Sequence, residues 1–143
     1  MPGFAGGVVT SVEIDPVIAG RARANLAGYG VTVLTGDGEL GCPDRAPFDR
    51  VIATASASTV PYPWVEQAAD GGLIVVPYSG DHCGGALLVL TVSGGVARGG
   101  AGGEAYFMPL RGQAPAYAAS GKWEDLRVEV GPSGQRAFTG QTA

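Results

Sequence analysis

The 143-residue sequence predicts an α/β fold with a mostly parallel sheet and a C-terminal antiparallel ribbon. Two observations carry this prediction. Short apolar runs alternate with helical or turn-rich segments as far as Tyr78, the rhythm of a parallel sheet. After Gly84 the rhythm breaks into strand-like runs separated by glycines, which suits hairpins.

The first predicted strand is "VVTSVEI", Val8 to Ile14. Pro16 then suits the first turn of a helix, where its missing N–H does no harm, and Asp15 is a natural N-cap. Ile18, Ala22, Leu26 and Tyr29 recur at helical spacing, and Gly28 and Gly30 close the helix. "VTVL" (Val31 to Leu34) is a second strand, and Thr35 to Pro47 is a turn-rich loop. "FDRVIATA" (Phe48 to Ala55) is a third, with the unbroken apolar centre of a strand buried on both faces. "PYPWVEQAADGG" predicts a short helix, and Leu73 to Tyr78 a fourth strand parallel to the third. Val51, Ile52, Ile74 and Val75 are the expected centre of the core. Ala86 to Val92 and Glu104 to Leu110 are expected to form the ribbon, with "RGGAGGE" as its flexible turn. Trp123, Leu126, Val128 and Val130 suggest one last strand, followed by a frayed tail beyond Gly131. Residues 1–113 are read as one domain and 114–143 as a partly ordered extension.

Composition narrows the function. Hydrophobic residues make up 45%, so the chain is expected to fold, and no apolar run approaches the roughly 20 residues of a membrane span. A net charge of -4, with eight scattered arginines and Lys122 as the only lysine, argues against a nucleic-acid partner. Two distant cysteines, Cys42 and Cys83, and no leader-like N-terminus set a reducing, cytoplasmic compartment as the expectation. His82 beside Cys83 has no further Cys or His at zinc spacing, so no metal is expected.

Two acids carry the chemistry. In doubly wound sheets ligands sit at the carboxyl ends of strands, so Glu13 can accept the hydroxyls of a ribose while Asp15 caps the helix. In "TGDGELG", Asp37 lies between Gly36 and Gly38 after the second strand. Its carboxylate can accept from an adenine amine while the Gly38 N–H meets a ring nitrogen, and the flanking glycines permit close approach. An Asp-Gly turn alone is common; the pairing with Glu13 is what raises its meaning. A ribose-binding acid would serve a nicotinamide dehydrogenase half-domain equally well.

"VEIDP", "TGDGELGCPDRAPFDRVIATASASTVP" and "GGLIVVPYSG" together resemble the S-adenosylmethionine-dependent methyltransferases of the protein-L-isoaspartate O-methyltransferase type. The resemblance covers about Val8 to Gly80, and "GEAYFMPLRGQ" is similar to a C-terminal strand of bacterial relatives. It implies a Rossmann-like, class I methyltransferase sheet and S-adenosyl-L-methionine as cofactor. The implied cofactor contacts are Glu13, Ile14, Gly36, Asp37, Gly38 and Thr54. Ser56 and Ser58, in the "ATASAS" segment, are implied substrate contacts. The implied reaction is methylation of a carboxylate in a protein or peptide substrate. The isoaspartyl group of damaged protein and an aspartate of a peptide biosynthetic pathway both stay open, as does an inactive nucleotide-binding remnant.

Asp70 and Gly71 stand where the family usually has Pro-Gly. The larger departure is at the start. Only "MPGFAGG" precedes the acid-bearing strand, and nothing matches the family's first strand and its GxGxG loop. An N-terminally truncated domain is therefore expected. The strand so lost would lie between Val8–Ile14 and Phe48–Ala55, so a strand-donating partner or self-association is expected in compensation.

Overall fold

The computed structural model describes residues 7–80, 83–113 and 122–139. The chain divides into two compact units, Met1–Cys42 and Pro43–Ala143.

The first unit is a β-α-β element: β1 (Val9–Glu13), α1 (Pro16–Asn25) and β2 (Val31–Thr35). β1 and β2 pair in parallel, from Val9 opposite Val31 to Glu13 opposite Thr35. Asp15 caps α1 as expected, its Oδ1 accepting from the N–H groups of Val17 at 2.8 Å and Ile18 at 3.2 Å. Arg23, in the last turn, ties the helix to β2. Its Nε donates to the Val33 carbonyl at 3.0 Å and its Nη2 to Thr35 Oγ1 at 2.9 Å. The inward stripe of α1 is Ala19, Ala22 and Leu26; Ile18 and Tyr29, expected on it, are exposed. Small residues at Ala19 and Ala22 suit close packing on a two-stranded ribbon, which has little apolar surface to offer a larger stripe.

The second unit is one six-stranded sheet in the order β3-β4-β5-β6-β7-β8. Its strands are β3 (Phe48–Ile52), β4 (Ala68–Ser79), β5 (Gly84–Ser93), β6 (Val96–Glu104), β7 (Leu126–Gly131) and β8 (Gly134–Thr139). β3 and β4 are adjacent and parallel, with Val51 opposite Ile74 and Ile52 opposite Val75. The remaining pairs are antiparallel. The period of two puts Ile74, Val76 and Tyr78 of β4 on one face with Leu88, Leu90 and Val92 of β5 and Leu126, Val128 and Val130 of β7. The short helix α2 (Tyr62–Glu66) supplies Trp64 and Val65 to the same core.

Several expectations are corrected. Of the expected core centre, Ile74 is buried and Val51 and Val75 are half-buried, but Ile52 is 70% exposed. Among the described residues β3 is an edge strand with β4 as its one sheet neighbour. β4 begins at Ala68, where a helix end was expected, because a register shift between Phe48 and Arg50 lets the chain through Asp70 and Gly71 (φ +80°) stay in the strand. The ribbon's second arm is Val96–Glu104, so "RGGAGGE" is strand and the turn is Gly94-Gly95. Beyond Gly131 the chain forms β8, paired along β7 from Gly131–Gly134 to Leu126–Thr139, where a frayed tail was expected. Trp123 sits in a 3-10 turn before β7, outside the strand.

Candidate functional site

In the first unit the carboxyl ends of β1 and β2 are joined: the Gly36 N–H donates to the Glu13 carbonyl at 2.9 Å. Glu13, Ile14 and the Gly36-Asp37-Gly38 turn therefore share one edge of the ribbon, the edge at which parallel strands present ligands. The Glu13 carboxylate is half-buried, and its Oε1 accepts from the Asp15 N–H at 3.0 Å. That single bond orients the group and leaves further acceptor capacity. Asp37 is exposed. Its Oδ1 accepts from the Glu39 N–H at 2.9 Å and caps the 3-10 turn Gly38–Leu40. Both acids thus hold local backbone with one oxygen. A Cβ at Gly38 would meet no atom within 4 Å, and the Gly38 carbonyl accepts from the Gly41 N–H at 3.1 Å.

In the second unit Thr54 is exposed just past β3. Ser56 is buried, and its main chain bridges to the 108–110 segment: its N–H donates to the Met108 carbonyl at 2.8 Å and its carbonyl accepts from Leu110 N–H at 2.9 Å. Ala57 bridges to β4 through Pro77 and Ser79. Ser58 is half-buried.

Two glutamines outside every motif of the site hold the 58–60 loop in place. Gln113 Oε1 accepts from the N–H groups of Ser58 at 2.7 Å and Thr59 at 3.1 Å, and its Nε2 donates to the Thr59 carbonyl at 2.7 Å. Gln135 Oε1 accepts from the Val60 N–H at 2.7 Å, and its Nε2 donates to the Ser58 carbonyl at 3.1 Å. Each carboxamide pairs with the loop as a neighbouring peptide group would. Sequence reasoning missed both. The only local hint is Gln113 at the end of "GEAYFMPLRGQ"; Gln135 lies in the stretch expected to fray.

Cys83 is buried, and its thiol is raised above its ordinary value of 9.0 by desolvation first, then by the charges of Glu124 and Glu104. A thiol held protonated in this way is a poor nucleophile. His82 lies outside the described residues.

Residues 4–110 match the family described as Protein-L-isoaspartate(D-aspartate) O-methyltransferase. A protein-L-isoaspartate O-methyltransferase of Methanoculleus marisnigri is 41% identical over 108 residues, 73% of this chain and 49% of that protein. One from Anaeromyxobacter dehalogenans is 51% identical over 75 residues, 50% of this chain and 36% of that protein. Among solved structures, a protein-L-isoaspartate O-methyltransferase superposes with a TM-score of 0.69 at 27% identity, over 76% of this chain and 35% of that one. A β-aspartate methyltransferase from Plasmodium falciparum, solved with S-adenosyl-L-homocysteine, shares the fold with a TM-score of 0.63 at 17% identity, over 73% of this chain and 53% of that one. The chain spans about half the length of the curated relatives it matches most extensively.

Proposed function

Because the chain belongs to the protein-L-isoaspartate(D-aspartate) O-methyltransferase family, whose members use S-adenosylmethionine, we propose that it serves methylation of an isoaspartyl carboxylate in protein or peptide. The observation that supports this reading is the joined edge of β1 and β2, where the Gly36 N–H donates to the Glu13 carbonyl, so that Glu13 and the Gly36-Asp37-Gly38 turn lie at the same strand ends. Glu13, with Ile14 beside it, takes the ribose hydroxyls; Asp37 and the Gly38 N–H take the adenine. In the second unit the family resemblance assigns Thr54 to the cofactor and Ser56 and Ser58 to the substrate.

The donor set suits an adenosine. It offers a carboxylate acceptor oriented by one hydrogen bond and, at Gly38, a position with no side chain to fill the space beside the turn. When bound, S-adenosylmethionine supplies an electrophilic methyl group for an oxygen that is already anionic, so the chain needs no strong general base. Its residues have to hold the two reactants in line and keep water out, and these effects supply most of the acceleration in such a transfer.

A second reading has its own support. β1 has β2, and β3 has β4, as its one sheet neighbour among the described residues. The chain in this reading binds the nucleotide and gains full activity when a partner, or a second copy, pairs with these edges.

Calorimetric titration with S-adenosylhomocysteine and, separately, with NAD tests the proposal. Binding of the first and not the second is expected. Glu13→Ala should weaken it at least tenfold, the scale of a lost charged hydrogen bond of about 1.5–3 kcal/mol. Preference for NAD would transfer the chain to dehydrogenase chemistry and end the methyltransferase reading.

A further inference from the structure

Gln113 Oε1 lies within hydrogen-bond distance of three groups: the Ser58 N–H at 2.7 Å, the Thr59 N–H at 3.1 Å and Ser58 Oγ at 3.1 Å. Two of these are obligate donors, so the Gln113 atom is the carbonyl oxygen and not the amide nitrogen. The Nε2 contact with the Thr59 carbonyl requires the same orientation. The Ser58 hydroxyl facing that oxygen must then give it its proton. A serine whose proton is spent has only lone pairs left to offer.

We propose that Gln113 is a positioning residue that fixes Ser58 Oγ as a hydrogen-bond acceptor, so that this loop takes a backbone N–H of the peptide substrate rather than its carboxylate. The inference rests on the methyltransferase reading and deepens it by naming the group recognised. Gln135 completes the device. By holding the Val60 N–H and the Ser58 carbonyl it fixes the backbone on either side of Thr59, which keeps the Ser58 and Thr59 N–H groups on Gln113. Selection comes from polarity. An anionic carboxylate oxygen brought to Ser58 Oγ would meet lone pairs, whereas an amide N–H would complete the hydroxyl's hydrogen bonding.

The test is binding of fluorescent isoaspartyl peptides to the purified chain in the presence of S-adenosylhomocysteine, with a set in which each peptide is N-methylated at one backbone amide. One member should bind the wild type about tenfold more weakly than its parent, the scale of a lost buried hydrogen bond, while Ser58→Ala binds the two alike. Gln113→Ala should weaken the parent peptide by a similar factor and leave S-adenosylhomocysteine affinity unchanged, a split that general destabilisation would not give. Amide exchange should quicken at Ser58 and Thr59 but not at Leu90. If Gln113→Ala loses protection at Leu90, Gln113→Asn, with the same carboxamide on a shorter stem, makes the same discrimination. S-adenosylhomocysteine binding without peptide binding overturns the inference alone. So does indifference of the wild type to every N-methylation, or unchanged peptide affinity in the Gln113 variant. No S-adenosylhomocysteine binding at all overturns the functional reading, and this inference with it.

Discussion

Gly99 leaves no room for a methyl group. A Cβ there would collide with the carbonyl oxygen of Val89 on the neighbouring strand, and one at Gly100 would come within 2.9 Å of the Leu126 carbonyl oxygen. These obstacles are backbone and cannot swing aside. Gly103, in the same strand, faces open space. Gly99→Ala is therefore expected to cost about 2 kcal/mol or more, and Gly103→Ala to stay within about 0.5 kcal/mol of the parent, read from urea midpoints. Cys83 gives a pH signature. Its folded thiol titrates above 9.0, while in the unfolded chain it ionises near its ordinary value. The contribution is thus fully present below that value and declines as pH rises through the folded one. Unfolding measured at pH values on either side should show the decline, and Cys83→Ala should reduce it.

At the scale of elements, β8 determines how much of the sheet survives. It covers β7, whose Leu126, Val128 and Val130 belong to the core, and it carries Gln135 to the loop after β3. Removing residues 132–143 should lower stability by several kcal/mol and quicken amide exchange at Val60, whereas Gln135→Ala should quicken Val60 at a cost of only about 1–3 kcal/mol. Unchanged exchange at Val60 in both variants would show that the strand does not anchor the loop. The sequence hid β8 because "GQRAFT" has one apolar alternation and lies near a terminus, while β1 to β4 announce themselves by apolar runs. The Gly-rich β6 was hidden for a related reason. Glycine signals a turn when read locally, yet here it answers the close approach of Val89. The true turn did have a signal: Gly94-Gly95 between Val92 and Val96, both with positive φ (+59° and +75°), as a tight hairpin demands. Asp70 Oδ1 accepts from the Gly94 N–H at 3.1 Å and Tyr62 Oη donates to the Gly95 carbonyl at 3.1 Å, which gives the unusual Asp70 a structural use. Glu13 and Asp37 each bond a backbone N–H two residues on, a separation that local reading can reach. Gln113 and Gln135 were not, since their partners lie 54 to 77 residues away.

At the scale of the molecule, the two sheets end on edges that ordinary soluble proteins guard. Among the described residues β3 presents Ile52, 70% exposed, at an edge whose charges are the exposed Asp49 and Arg50 and which has no lysine, and β1 presents exposed Val9. Self-association that grows with concentration is expected in sedimentation velocity. Ile52→Lys should weaken it while changing unfolding free energy by no more than about 0.5 kcal/mol, because the side chain contributes little to the core. A strictly monomeric wild type would show that these edges are satisfied within the chain.

The reach of Gln135 back to Ser58, across 77 residues, also orders events during synthesis. A ribosome delivers the chain from its N-terminus, so β1 can pair with β2 early, and Arg23 can meet Val33 at once. The loop after β3 has no such opportunity. Its Ser58 and Thr59 N–H groups wait, wetted by solvent, for Gln113, and the Val60 N–H waits longer still, for Gln135. Translation therefore finishes the 58–60 loop late, and a nascent chain stalled anywhere before Gln135 carries the β1-α1-β2 unit formed and the Val60 N–H of that loop still unanchored.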